Sequence, residues 1–215
     1  MTPKQPTMRK IFRQIALAIG LAGMLSACVP VIMGGVVMGG FVATDRRTSG
    51  TQLEDEGIEL RAASRLREGL GERVHFNVNS YNRQVLLTGE APNVQDKQLA
   101  EQIVSRVDNV RLIINEIAVL GNSTLPQRSS DALVTGRVRA SLVDAKDLYA
   151  NAFKIVTERG TTHLMGRVTQ READRATEIA RGVSGVQKVV RIFEIISEDE
   201  LKRLLPQPAP GDVKK

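Results

Sequence analysis

A five-element order that occurs twice constrains this 215-residue chain more than any single motif does. In the first copy Leu60, Ala63, Leu66 and Leu70 recur at helical spacing. Val74, Phe76 and Val78 then alternate with polar residues, and a turn at Ser80-Tyr81-Asn82 leads to a second strand over residues 84–88. Gly89 closes that strand, Asn93-Val94-Gln95-Asp96 offers a cap, and Leu99, Ile103, Val104 and Val107 mark another helix before a β-branched strand over residues 110–119. In the second copy a helix over residues 130–142 precedes strands at 152–158 and 161–168, joined by Arg159-Gly160. A capping box, Thr169-Gln170-Arg171-Glu172, opens a helix carrying Ala173, Ala176, Ile179, Ala180 and Val183 on one face, and residues 186–196 form the last strand. Placing Gly89 over Gly166 and Val110 over Val186 aligns the copies with one residue of slip. Each copy has about 65 residues, enough for a small α+β core.

What precedes the repeat concerns export. Residues 1–27 carry Lys4, Arg9, Lys10 and Arg13, then an apolar run, and finish in Leu25-Ser26-Ala27 ahead of Cys28. That order suits a lipoprotein signal peptide, because diacylglycerol transfer needs a thiol and the peptidase needs small residues before it. Cys28 is the only cysteine, so no intramolecular disulfide forms. Residues 28–56 read as the lipidated Cys28 and a Gly-rich tether, with the polar stretch 45–55 expected to be turn-rich. An uncleaved anchor over residues 11–42, with Gly35 and Gly39 on a helix-pairing face, is the rival reading. The first repeat covers 57–120 and the second 129–197, with residues 121–127 linking them; residues 198–215 read as a short helix and a disordered tail.

Composition removes several function classes. There is no Trp, aromatics are 3%, and His is limited to His75 and His163, so neither stacking platforms for single-stranded nucleic acid nor a Cys/His metal site are available. The formal charge of +6 is mostly the leader's: the mature chain has 26 basic and 24 acidic residues, which argues against a nucleic-acid footprint. Residues 45–120 carry a net −2 and residues 121–197 a net +4, so attraction to an anionic surface belongs to the second repeat. Catalysis has little support. The two histidines occupy non-equivalent positions, Glu54-Asp55-Glu56 reads as charge complementing a helix dipole, and no Gly-x-Ser-x-Gly elbow or phosphate-cradling loop occurs.

Val-Leu-Leu-Thr-Gly (85 to 89) and His-Leu-Met-Gly (163 to 166) before each second helix, with Asp-Asn-Val or Ser-Gly-Val after it, make each copy resemble a BON domain. Two of them behind a lipobox resemble the dual BON-domain outer-membrane lipoproteins of the DolP family. Two further stretches strengthen the likeness: Ala43-Thr44-Asp45-Arg46-Arg47-Thr48-Ser49-Gly50 through Asp55, and Met165-Gly166-Arg167-Val168-Thr169-Gln170-Arg171-Glu172-Ala173. The resemblance implies an α+β fold of two tandem BON domains, each helix-strand-strand-helix-strand with its helices on one face of a three-stranded sheet. It further implies a non-enzymatic, periplasm-facing lipoprotein of the outer membrane, consistent by the usual sorting rule with Val rather than Asp at position 29. The implied partners are anionic phospholipid (phosphatidylglycerol, cardiolipin), bound through the second BON domain, and outer-membrane protein assembly machinery or division-site proteins. The role is envelope integrity. No cofactor is implied beyond the diacylglycerol and N-acyl chain on Cys28.

The residues of the second repeat's first helix offer a place for that binding. Val134, Val138, Ser141 and Leu142 form its core stripe, whereas Leu133, Gly136, Arg137 and Ala140 fall on another face with Ala132 and Arg139 at its edge. Leu133 at the acyl boundary, with Arg137 and Arg139 at phosphates, suits an anionic bilayer. The alternative is that Leu133 packs on the linker or the first repeat and the arginines are simply solvated. Relatives can carry Trp at the position of Leu133. The equivalent face of the first repeat mixes Arg with Glu and is expected to expose no apolar residue. A protein-only scaffold attached by its acyl chain is the competing functional class.

Overall fold

The computed structural model describes residues 45–204. The leader, Cys28, the tether up to residue 44 and the tail beyond residue 204, with the readings made of them, lie outside the described residues. Helix α1, Ser49–Leu70, begins within the stretch expected to be turn-rich, because the Thr48 hydroxyl accepts the Thr51 amide at 3.1 Å and caps it. Its buried face is Asp55, Ile58, Ala62, Leu66 and Leu70, so the core stripe runs through Ile58, and Leu60 points to solvent. A carboxylate in a core position hid that phase from an apolar count. The helix stops where Gly71 turns left-handed, at φ +59°.

Strands β1 (His75–Tyr81) and β2 (Gln84–Ala91) form an antiparallel hairpin, and helix α2 (Val94–Val104) crosses over to a third strand parallel to β2. That strand is interrupted, as β3 (Leu112–Asn115) and β4 (Ala118–Val119), where Ile117 dips into the core. The second unit repeats the order: α3 (Leu125–Asp144), β5 (Phe153–Glu158), β6 (Thr161–Val168), α4 (Gln170–Arg181) and an unbroken β7 (Lys188–Ile195), followed by α5 (Glu198–Leu204). The expected α4 capping box is present.

Both hairpins turn through left-handed residues, Asn82 and Arg83 in one and Arg159 and Gly160 in the other. A buried aspartate of the preceding helix accepts the turn amides in each: Asp55 takes Asn82 and Arg83 at 2.8 and 2.7 Å, and Asp131 takes Arg159 and Gly160 at 2.8 and 2.9 Å. Asp55 is thus a turn ligand, not dipole-complementing surface charge. The repeated glycines have a steric cause as well. A Cβ on Gly89 would lie 2.1 Å from the His75 carbonyl oxygen, and one on Gly166 would lie 2.7 Å from that of Ala152.

The helices of each domain cover one face of its sheet. Ile58, Leu66, Val85 and Leu87 close the first core; Val138, Leu142, Leu164 and Ala176 close the second. The opposite faces pack against each other. Tyr81 and Leu86 of one sheet meet Met165 and Ile192 of the other, with Ile114, Val156 and Val190 around them. Side chains alternate along a strand, so β2 is buried on both sides: Val85 and Leu87 go to the helices and Leu86 to the other domain. All three clusters are built from residues within 58–193.

Candidate membrane-binding face

Helix α3 is longer than its periodicity suggests. Thr124 and Gln127 form a capping box with Pro126 in the first turn, which extends the helix back through the expected linker. Asp131, Val134, Val138 and Leu142 are buried. Leu133, Gly136, Arg137, Arg139 and Ala140 are all exposed, so Leu133, at 63% exposure, packs neither on the linker nor on the first domain. Two residues that sequence reasoning missed extend this face: Leu125 at 76% and Val143 at 64% exposure. With Ala132, Leu133, Gly136 and Ala140 they make an apolar stripe along the outer side of the helix. The signal was present, since Leu125 and Val143 share the helical phase of Gly136 once the Thr-x-x-Gln cap sets the true start.

The two arginines flank the stripe on opposite sides. Arg137 reaches the Ser184 carbonyl at 3.4 Å, and Arg139 lines an open cleft of about 480 Å³ with Arg47, Tyr81 and Lys154. Neither forms an ion pair among the described residues, whereas Arg47 is held by Asp45 and Asp55 and Lys154 by Glu59. Their charges therefore face solvent uncompensated beside apolar surface. In α1, contrary to expectation, Leu53 and Leu60 are exposed, but Arg61 of that helix is paired with Glu54 at 2.7 Å.

A BON domain model matches residues 55–121 and again residues 130–196. The chain is 33% identical over 186 residues to Outer membrane lipoprotein DolP of Haemophilus influenzae, covering 86% of this chain and 96% of that one. This chain belongs to the DolP family of dual BON-domain outer-membrane lipoproteins. A 21 kDa hemolysin of Actinobacillus pleuropneumoniae is 34% identical over 71% of this chain and 79% of its own. Among solved structures, the C-terminal domain of CdsD, a type III secretion structural protein of Chlamydia trachomatis, gives a TM-score of only 0.28 at 13% identity, covering 70% of this chain and 100% of its own.

In this DolP-family chain the segment Asp45-Arg46-Arg47-Thr48 clamps the two BON domains. Arg46 forms a two-pronged ion pair with Glu172 at 2.7 and 2.6 Å and donates to the Arg167 carbonyl at 2.9 Å. Both side chains are buried, at 2% and 1% exposure. Burial alone would raise the Glu172 carboxyl, but the Arg46 hydrogen bonds, helped by the Thr169 amide, outweigh it and hold it below the ordinary range. Arg47 lies over the Tyr81 ring at 4.3 Å and bonds Asp45 and Asp55, while burial, reinforced by Asp45, pushes the Tyr81 phenol up to about 12. Further polar links rim the contact: Asn82 and Arg111 to Glu194, Lys154 to Glu59, and Asn77 to Glu158.

Proposed function

We propose that the chain is a non-enzymatic, periplasm-facing lipoprotein that binds anionic phospholipid through the outer face of α3 and so supports envelope integrity. One observation carries the reading: an exposed apolar stripe, Leu125, Leu133 and Val143, with the unpaired Arg137 and Arg139 on its flanks. A helix presenting those groups lies at the headgroup boundary, its leucines in the acyl region and its arginines at phosphates. Gly136 and Ala140 keep the stripe low, so backbone approaches the bilayer closely. The acyl chains on Cys28 supply position, and α3 supplies lipid preference.

The test is binding of residues 44–215, which lack Cys28, to phosphatidylglycerol, cardiolipin and phosphatidylcholine vesicles at two salt concentrations. Binding to the anionic vesicles that weakens with salt and is lost in Leu133→Asp and in the double variant Arg137→Glu, Arg139→Glu supports the reading. Absence of binding by the unaltered protein overturns it and favours the scaffold reading, to which Leu53 and Leu60 on α1 would then contribute a protein-facing surface.

A further inference from the structure

The packed sheets bring together residues that neither repeat carries in common. His75 and Glu90 sit opposite each other on β1 and β2, with His75 Nδ1 2.9 Å from Glu90 Oε2. Glu158, at the end of β5 in the other domain, faces them, and one ligand atom from each of the three lies within 4.8 Å of the others. Glu90 is fully buried and Glu158 nearly so.

The charge there is unbalanced. Glu90 and Glu158 are joined by Asp131 close by; among the described residues the guanidinium bonded directly to the cluster is Arg159, at 3.3 Å from Glu90 Oε1, with Arg128 one hydroxyl away through Ser123. The Ser123 hydroxyl bonds Glu90 at 3.1 Å, beside a further bond from the Ser123 backbone amide, and the Asn77 amide bonds Glu158 at 2.8 Å. Two buried polar side chains on the same inter-sheet faces close no hydrogen bond among the described residues, although Glu116 stands 4.0 Å from His163 Nε2. Thr88, two residues from Glu90 and opposite Asn77, leaves its hydroxyl unbonded; His163, diagonal to Glu158, leaves both ring nitrogens unbonded. A cavity of about 280 Å³ opens beside Glu158, its charged lining completed by Glu116, His163, Lys97, Arg159 and Lys188. Converging buried carboxylates, an unbonded hydroxyl beside them and open space against Glu158 suit a buried cation.

We propose that His75, Glu90 and Glu158 bind a divalent transition metal of the zinc class, bridging the two BON domains. One imidazole nitrogen with two carboxylates suits zinc better than calcium or magnesium, which take oxygen ligands alone. On binding, the neutral imidazole changes tautomer, its proton moving from Nδ1 to Nε2, so that Nδ1 gives up its hydrogen bond to Glu90 and presents its lone pair to the metal. Arg159 keeps the far oxygen of Glu90. Because the ligands come from both sheets, the metal strengthens the docking of one domain on the other.

Zinc titration of the full chain, untagged, stripped with chelator and held in detergent micelles, tests this by calorimetry and thermal melting. One zinc per chain, a melting temperature that rises with zinc, and at least a tenfold loss of affinity in both His75→Gln and Glu158→Gln are expected, with His163→Gln unchanged. No saturable binding, an affinity unchanged from the unaltered chain in either ligand variant, or loss confined to His163→Gln overturns the assignment. Circular dichroism checks each variant's fold. Should either ligand variant unfold, cobalt absorption of the unaltered chain decides: strong visible bands of a low-coordinate nitrogen-and-oxygen site support it, and the weak spectrum of hydrated cobalt overturns it.

Discussion

Helices α1 and α3 do the same work on their inner sides and different work on their outer sides. Each buries an aspartate that ties off a hairpin turn and an aliphatic stripe that closes a core. Outside, α1 shows two leucines two turns apart beside an Arg61–Glu54 pair, whereas α3 shows a longer apolar stripe between arginines that form no ion pair among the described residues. Duplication has preserved what folding requires of this helix and left free what faces away. That difference is why a membrane role is assigned to one domain and a supporting role to the other.

The clamp between the two domains gives the largest expected effect. Arg46→Ala strands the buried Glu172 carboxylate, and should cost about 3–5 kcal/mol in urea denaturation and separate one unfolding transition into two. An unaltered single transition would mean that the apolar contact alone joins the domains. The same pair predicts acid sensitivity. The Glu172 carboxyl is depressed in the folded state, so its contribution is complete above the unfolded value near 4.3 and is lost as pH falls through the lower folded one. Glu172→Gln should flatten that part of the stability profile.

The turn ligands sharpen the likeness between the copies. Asp131→Ala leaves two turn amides unpaired and should cost about 1–3 kcal/mol; Asp55→Ala should cost more, because Arg47 and Ser80 also lose their partner. Equal losses would show that the Arg47 arrangement contributes nothing. The outer faces provide the contrast: Leu133→Asp should weaken vesicle binding at least tenfold, about 1.4 kcal/mol, while Leu60→Asp leaves it unchanged. Equal losses in co-sedimentation would make both helices membrane-facing.

The smallest effect concerns His163. Burial, opposed by Glu116 and aided by Lys188, lowers its imidazole, and the nearby backbone of Val156 and Thr161 closes no hydrogen bond with it. Lys97, Glu158 and Arg159 complete the charged lining of its cavity. Folding therefore favours the neutral ring, so stability is full above about pH 6.5 and declines as pH falls from there toward the lowered folded value. His163→Phe should remove this slope and add about 1 kcal/mol in denaturant titrations. A slope that persists would place the titration elsewhere.

Much of the candidate face was legible because it depends on one helix: the phase of Leu133, Gly136, Arg137, Arg139 and Ala140 follows from 3.6 residues per turn. Its ends were not, since Leu125 lies in the stretch that reads as a linker and only the Thr124 cap places it on the helix. In α1 the phase itself slipped, because Asp55 is a polar residue in a core position and Leu60 an apolar one outside it. The run Val85-Leu86-Leu87 carried an unread sign of two-sided burial, as an apolar run does where alternation would be expected.

By itself the sequence determined the repeat, the order and kind of the elements, the glycines at strand contacts and the α4 cap, because each follows from local geometry or periodicity. Only the tertiary structure decided that the sheets meet through their second faces, that Arg46 reaches Glu172, and that His75, Glu90 and Glu158 converge. A period shows that a strand has two faces, but what covers the second depends on shape and charge contributed by residues far away in the chain.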